Sequence, residues 1–163
     1  MNQSESTASR RIVVIGGGPA AHRFVEAMCA RNAVADGTAI TVLTEEVHLP
    51  YDRVALSKAL TETDVDLTLG EKGLWENDGV TLVTGARAVD LDLAAKEVIT
   101  EGGARYPYDE LVLATGSNAA TLPIPGSEHT SVYRTLEDVR GINQQVAELT
   151  AKLGPRAAIP DPG

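Results

Sequence analysis

The residues with the most chemical content lie in one run, Gly16-Gly17-Gly18-Pro19-Ala20-Ala21, which fits the pattern G-x-G-x-x-A. In that pattern Gly16 permits a tight turn out of a strand. Gly18 lets the backbone approach a pyrophosphate without a Cβ in the way, and Ala21 is small enough for a helix to pack close to the strand. The phosphates would meet free N–H groups at the helix N-terminus. An acidic residue past the next strand completes such a site by accepting hydrogen bonds from ribose hydroxyls. The candidates are Glu45 and Glu46, 24 and 25 residues after Ala21. This chemistry suits an adenine dinucleotide. FAD and NAD both carry an adenosine ribose and a pyrophosphate, so the turn alone does not choose between them.

The elements around the turn are those it needs. Residues 12–15 (IVVI) form a wholly apolar, β-branched run, the pattern of a strand buried on both faces. Pro19 stands where the first turn of a helix tolerates a missing N–H. Ala21, Phe24, Val25 and Met28 then recur at helical spacing, and Asn32 to Gly37 ends the helix. Residues 39–43 (AITVL) close a βαβ unit. Further along, one helical turn is predicted over Val54–Leu60 and a strand over 80–84. A hairpin is predicted over 86–92 and 96–100, a turn at Gly102-Gly103, and a buried strand over 110–114 ending at Thr115-Gly116. Leu136, Val139, Ile142, Val146, Leu149 and Leu153 mark a last amphipathic helix, opened by Thr135 with Asp138 and stopped at Gly154-Pro155. These elements predict an α/β fold, Rossmann-like, with a central parallel sheet and a small β-hairpin or meander layer.

Composition narrows the class. The chain has 163 residues, a formal net charge of −9, 43% hydrophobic residues, six aromatics and one cysteine. A chain of this length buries roughly 70% of its unfolded surface on folding, enough for a real core. The acidic balance argues against nucleic acid, whose phosphates require clustered Lys and Arg. A single cysteine excludes an intrachain disulfide, a Cys-based zinc site and a self-contained iron–sulfur cluster. Arg10-Arg11 is followed by only four apolar residues before glycines intervene, too few for a signal peptide. No run approaches the roughly 18 apolar residues of a membrane span. The expectation is a soluble cytoplasmic protein with no membrane contact and a disordered tail over 1–10.

Five stretches in order, RIVVIGGGPAAHRFVEAM, ITVLTEE, LPYDRVALSK, YDELVLATGS and VYRTLEDV, closely resemble the N-terminal FAD module of the large subunit of NAD(P)H-dependent nitrite reductase. That module is one of the flavoprotein reductases with two dinucleotide domains, which include ferredoxin and rubredoxin reductases. Ala21-His22-Arg23-Phe24 matches the G-H-R-F-type start, and the resemblance covers about residues 11–153. It implies FAD as cofactor and a FAD-binding domain over 11–154 between tails at 1–10 and 155–163. By matching motif it places Gly16, Gly18, Pro19, Ala20 and Ala21 at the pyrophosphate and Glu45 and Glu46 at the adenosine ribose. Arg53 and Lys58 fall on the flavin side. Ala88 or Val89 approaches the adenine by backbone, Thr115-Gly116 form a second cofactor turn, and Arg134 reaches the cofactor. The partners it implies are NAD(P)H and redox partner domains or subunits.

Charge chemistry agrees with the cationic assignments, since a reduced flavin gains negative charge that Lys and Arg stabilise. The same pair read without the resemblance is an exposed basic pair, Arg53 being next to Asp52. Pro160-Asp161-Pro162-Gly163 stands where a second glycine fingerprint for NAD(P)H would begin, and two prolines cannot supply its N–H groups. The sirohaem and iron–sulfur regions of the complete reductases have no counterpart. The expectation is therefore a flavin module incomplete as a catalyst. The alternatives are an NAD(P)-binding Rossmann domain of a dehydrogenase, which would be colourless, and a non-catalytic interaction fragment, which would bind neither cofactor. Cys29 reads as a packed residue, and Trp75 as packing a short helix onto the domain. The three histidines show no metal-ligand spacing, and no nucleophile–base pair stands out.

Overall fold

In the computed structural model, which describes residues 10–62 and 64–153, the β-branched run at the amino end forms β1 (Arg10–Ile15). There follow α1 (Pro19–Ala30), β2 (Thr38–Leu43), β3 (Val80–Val83), β4 (Ala88–Asp92), β5 (Glu97–Thr100), β6 (Arg105–Pro107), β7 (Glu110–Leu113) and α2 (Leu136–Leu153). Short 3₁₀ segments cover Val54–Leu60, Lys72–Glu76 and Ser127–His129. Arg10, expected in the tail, instead opens β1, where it pairs with Thr38; residues 1–9 of that tail, the helix stop at Gly154-Pro155 and the tail over 155–163 lie outside the described residues.

The chain divides into two compact units. The first comprises the stretch up to Asp52 together with Thr68–Ser117. Its main sheet has strand order β3-β2-β1-β7, with every pairing parallel. One face of this sheet packs on α1, where Ile12, Val14, Ala21, Val25, Ile40 and Val42 form a buried cluster joined by Phe24, Met28, Cys29 and Trp75. The other face packs on the antiparallel sheet β4-β5-β6, through Val13, Leu43, Val98 and Tyr108. Burial on both faces explains why β1 reads as uninterrupted apolar sequence: Val13 and Val14 face opposite layers. Each fully buried Val or Ile contributes about 1.5–3 kcal/mol. Burial also pushes the Cys29 thiol up from its ordinary value, as fits a packed residue.

Strand β6 was not expected from sequence. It is three residues long and ends in proline, so it offers no alternation to read. It sits at the edge of its sheet, the place where a proline is tolerated, and Tyr106 pairs with Val98.

The amino end of the β1–β7 pair is held by charge. Arg11 N–H donates to Asp109 Oδ2 at 2.7 Å, its guanidinium donates to Asp109 Oδ1 at 2.9 Å, and Asp109 N–H donates to the Arg11 carbonyl at 2.9 Å. The Arg11 guanidinium and then its backbone N–H hold the Asp109 carboxyl down at about 2. A carboxyl depressed in the folded state stabilises above its unfolded value, near 4, and loses that contribution as pH falls toward 2. Asp109→Asn is therefore expected to melt below wild type at pH 7, with the difference closing between pH 4 and pH 2. Thermal melts across that range check it.

The second unit comprises Arg53–Leu67 and the stretch from Asn118 onward. In it α2 packs on the 3₁₀ segment Val54–Leu60, with Leu56 and Val139 buried and Asn143 Nδ2 donating to the Ala59 carbonyl at 3.0 Å. The helix start is capped reciprocally. Asp138 N–H donates to Thr135 Oγ1 at 3.2 Å, and the N–H groups of Thr135 and Arg134 donate to Asp138 Oδ2 at 2.8 and 3.0 Å. Aspartate thus serves where glutamate is usual. Of the apolar stripe, Val139 is buried while Val146, Leu149 and Leu153 are exposed.

Candidate functional site

Because β3, β2, β1 and β7 are parallel, their carboxyl ends share one edge, where open α/β sheets place ligands. The backbone ties these ends together. Gly16 N–H donates to the Leu43 carbonyl and Ala114 N–H to the Ile15 carbonyl, both at 2.8 Å, and Thr44 N–H donates to the Val83 carbonyl at 3.0 Å. The glycine turn lies between the tips of β2 and β7. Gly16 has φ +114°, and a Cβ there would stand 2.2 Å from the Ala114 carbonyl oxygen. Both facts demand glycine.

Gly17, the variable position of the pattern, is as constrained by space. A Cβ there would meet Thr44 Oγ1 at 2.5 Å and Thr44 Cβ at 2.6 Å. The G-x-G-x-x-A pattern leaves Gly17 without a role, because the partner that excludes a side chain there comes from the end of the next strand. Gly18 is the residue preceding α1, with φ −89° and ψ −175° and no side-chain cap. Pro19 and Ala20 are exposed and Ala21 is fully buried against the sheet. No acidic residue stands in the first turn of α1. Among the described residues, the N–H groups of Gly18, Ala20 and Ala21 have no protein partner. They are donors at the positive end of a helix dipole.

The two carboxylates past β2 differ. Glu45 is exposed and lies 3.8 Å from Arg87 Nε, a loose surface pair. Glu46 is half-buried. Its N–H donates to Thr44 Oγ1 at 3.3 Å, its carbonyl accepts Gly85 N–H at 3.1 Å, and its Oε2 accepts the Tyr51 hydroxyl at 2.7 Å. The β3–β4 connection also lies here, Ala86 N–H donating to the Thr44 carbonyl at 2.7 Å. Ala88 is the first residue of β4, and a register irregularity between Ala88 and Asp90 leaves Val89 opposite no partner of its own. Thr115 and Gly116 follow Ala114 at the end of β7, both exposed, with Gly116 at φ +70°.

The first unit therefore gathers Gly16, Gly18, Pro19, Ala20, Ala21, Glu45, Glu46, Thr115 and Gly116 at one sheet edge, with Ala88 just beyond it. Arg53, Lys58 and Arg134 belong to the second unit. There Arg53 Nη1 donates to the Arg134 carbonyl at 3.2 Å, and the Lys58 side chain is exposed.

His22 is one of three histidines that show no metal-ligand spacing in the sequence. It is buried on α1, its ring 5.8 Å from that of Trp75 in an edge-on arrangement. Its Nε2 finds no hydrogen-bond partner among the described residues. A Cβ on Gly70 would stand 2.5 Å from its Cε1. The loop through Gly70 thus packs directly on the helix behind the turn, and Trp75 packs as expected.

The residues fit a dinucleotide. The turn admits no side chain at two successive positions, unpartnered donors point from the helix start, and a fixed carboxylate stands at the tip of the next strand.

Comparison with known proteins bears on the same residues. A family model, pyridine nucleotide-disulphide oxidoreductase, matches residues 10–157. The chain is 36% identical over 135 residues to the large subunit of nitrite reductase (NADH) of Escherichia coli, covering 81% of this chain and 16% of that protein. It is 35% identical over 137 residues to the assimilatory nitrate reductase electron transfer subunit of Bacillus subtilis, covering 82% of this chain and 18% of that one. Among solved structures, that of Fdr9 superposes with a TM-score of 0.71 at 36% identity, covering 84% of this chain and 33% of the other. The chain thus spans about a sixth of the length of the two relatives.

Proposed function

Since the chain belongs to the pyridine nucleotide-disulphide oxidoreductases, a flavoprotein family related to nitrite and ferredoxin reductases, we infer that it is a FAD-binding module of nitrite-reductase type that carries electrons from NAD(P)H toward a redox partner. The observation that carries this reading is the helix start beyond the glycine turn. Unpartnered N–H groups at Gly18, Ala20 and Ala21, with no acidic side chain in the first turn of α1, suit a dianion.

In this reading the backbone at Gly16, Gly18, Pro19, Ala20 and Ala21 holds the pyrophosphate. Glu45 and Glu46 face the adenosine ribose, Ala88 approaches the adenine by backbone, and Thr115-Gly116 form the second turn. Arg53, Lys58 and Arg134 serve the flavin half, where cations favour the more negative reduced form. When bound, FAD supplies a group that accepts a hydride equivalent and passes electrons on. The chain's own residues do the holding: backbone donors for phosphate, carboxylate for hydroxyls, guanidinium and ammonium groups for charge.

The test is uptake of cofactor. Purified chain mixed with FAD and desalted is expected to retain a flavin absorption spectrum at about one FAD per chain, and to retain little FMN, which lacks the adenosine half. Retention of NADH with no flavin uptake would make it a nicotinamide-binding domain instead. Retention of neither would favour the interaction-fragment reading.

A further inference from the structure

We propose that Tyr51 is a positioning residue that fixes Glu46, rather than Glu45, as the carboxylate that receives the ribose hydroxyls. This rests on the FAD reading above and names the device behind one part of that site.

A series of contacts runs from the glycine turn to Tyr51. Gly17 packs against the Thr44 side chain, so closely that a Cβ would overlap it. Thr44 Oγ1 in turn accepts the N–H of Glu46 at 3.3 Å, and the Glu46 carbonyl is held by Gly85 N–H at 3.1 Å. The backbone of Glu46 is thereby referenced to the wall against which the phosphate turn is built. Its side chain is fixed from the other end by the Tyr51 hydroxyl, which donates to Oε2 at 2.7 Å. Tyr51 is itself 7% exposed and bridged to Thr68 in an antiparallel pair, so its ring has little freedom. Glu45 has none of this. It is exposed, and its ion pair with Arg87 spans 3.8 Å.

A carboxylate offers about four lone-pair sites, so the bond from the phenol does not by itself exhaust its capacity to accept hydroxyl donors. Holding the side chain before the ligand arrives reduces the freedom lost on binding. A tyrosine suits the task because it donates without adding a positive charge that would cancel the carboxylate.

The test is a double-mutant cycle on FAD affinity, with Tyr51→Phe, Glu46→Gln and the pair, each checked by thermal melting. Tyr51→Phe removes only the hydroxyl. It is expected to weaken FAD binding about fivefold in the wild-type background and less than about twofold in the Glu46→Gln background, because the two residues act as one unit. Glu46→Gln alone is expected to cost about tenfold or more. A second readout is the preference for ADP over 2′,3′-dideoxy-ADP, which Tyr51→Phe should reduce and a loss of packing alone should not. Equal loss from Tyr51→Phe in both backgrounds, or wild-type affinity in Tyr51→Phe, overturns the positioning role while leaving the FAD reading intact. If wild type binds no FAD, both fall.

Discussion

Gly18→Val is expected to abolish FAD uptake, by at least about 100-fold, and to leave the chain folded. The two halves of that expectation come from different facts. Gly18 has φ −89° and ψ −175°, extended backbone that any residue adopts, so the substitution strains nothing in the main chain. It stands immediately before α1, where the N–H groups of Gly18, Ala20 and Ala21 have no protein partner among the described residues. A branched side chain at that point fills the space the phosphates need and covers the donors. A loss of 100-fold corresponds to about 2.7 kcal/mol, of the size expected when charge-assisted bonds to a phosphate are blocked. Desalting with FAD measures the loss, and circular dichroism melting shows the fold. A valine variant that melts like wild type and still binds FAD as wild type does would place the phosphates elsewhere.

Gly16→Ala should do the opposite kind of damage. Here φ is +114°, and the added Cβ would stand 2.2 Å from the Ala114 carbonyl oxygen and 2.6 Å from its carbonyl carbon. Both obstacles are backbone, at the seam between β1 and β7, and cannot swing aside as the end of a long side chain can. A non-glycine residue in such a region costs about 1–3 kcal/mol, and forced overpacking adds about 1–3 kcal/mol. Gly16→Ala is therefore expected to lose about 2–6 kcal/mol of stability, a large part of what a domain this size has. Urea denaturation of the two proteins side by side checks it, with an unchanged midpoint counting against the geometry. The pair of variants separates two duties within one turn. In the proposed FAD reading Gly18 serves the ligand, whereas Gly16 serves the fold.

Much of this was legible in the sequence, and the parts that were not share a cause. Local patterns showed β1, α1, β2 and the capped α2 because each carries its signal within a few residues: a branched apolar run, a helical stripe, a Thr–Asp pair. The G-x-G-x-x-A turn was readable for the same reason. What escaped was created by contacts between distant segments. Gly17 is required by Thr44, His22 is buried by the loop through Gly70, and Asp109 is paired with Arg11, 98 residues away. The choice between Glu45 and Glu46 was open in sequence because spacing places both beyond β2. Tyr51, five residues beyond Glu46, donates its hydroxyl to Glu46 Oε2, a bond that spacing alone does not predict. Strand β6 escaped because its three residues include a proline, and an edge position in a sheet cannot be seen from composition.

The claim on which the account depends is that the adenosine and pyrophosphate half of FAD lies along the carboxyl edge of the parallel sheet. Amide chemical-shift mapping of the isotope-labelled chain during FAD titration tests it most directly. Saturable shifts are expected at Gly16, Gly17, Gly18, Ala20, Ala21 and Glu46, with the Gly18, Ala20 and Ala21 amides moving most as their N–H groups acquire acceptors. Saturable FAD binding that leaves these amides unmoved would contradict it.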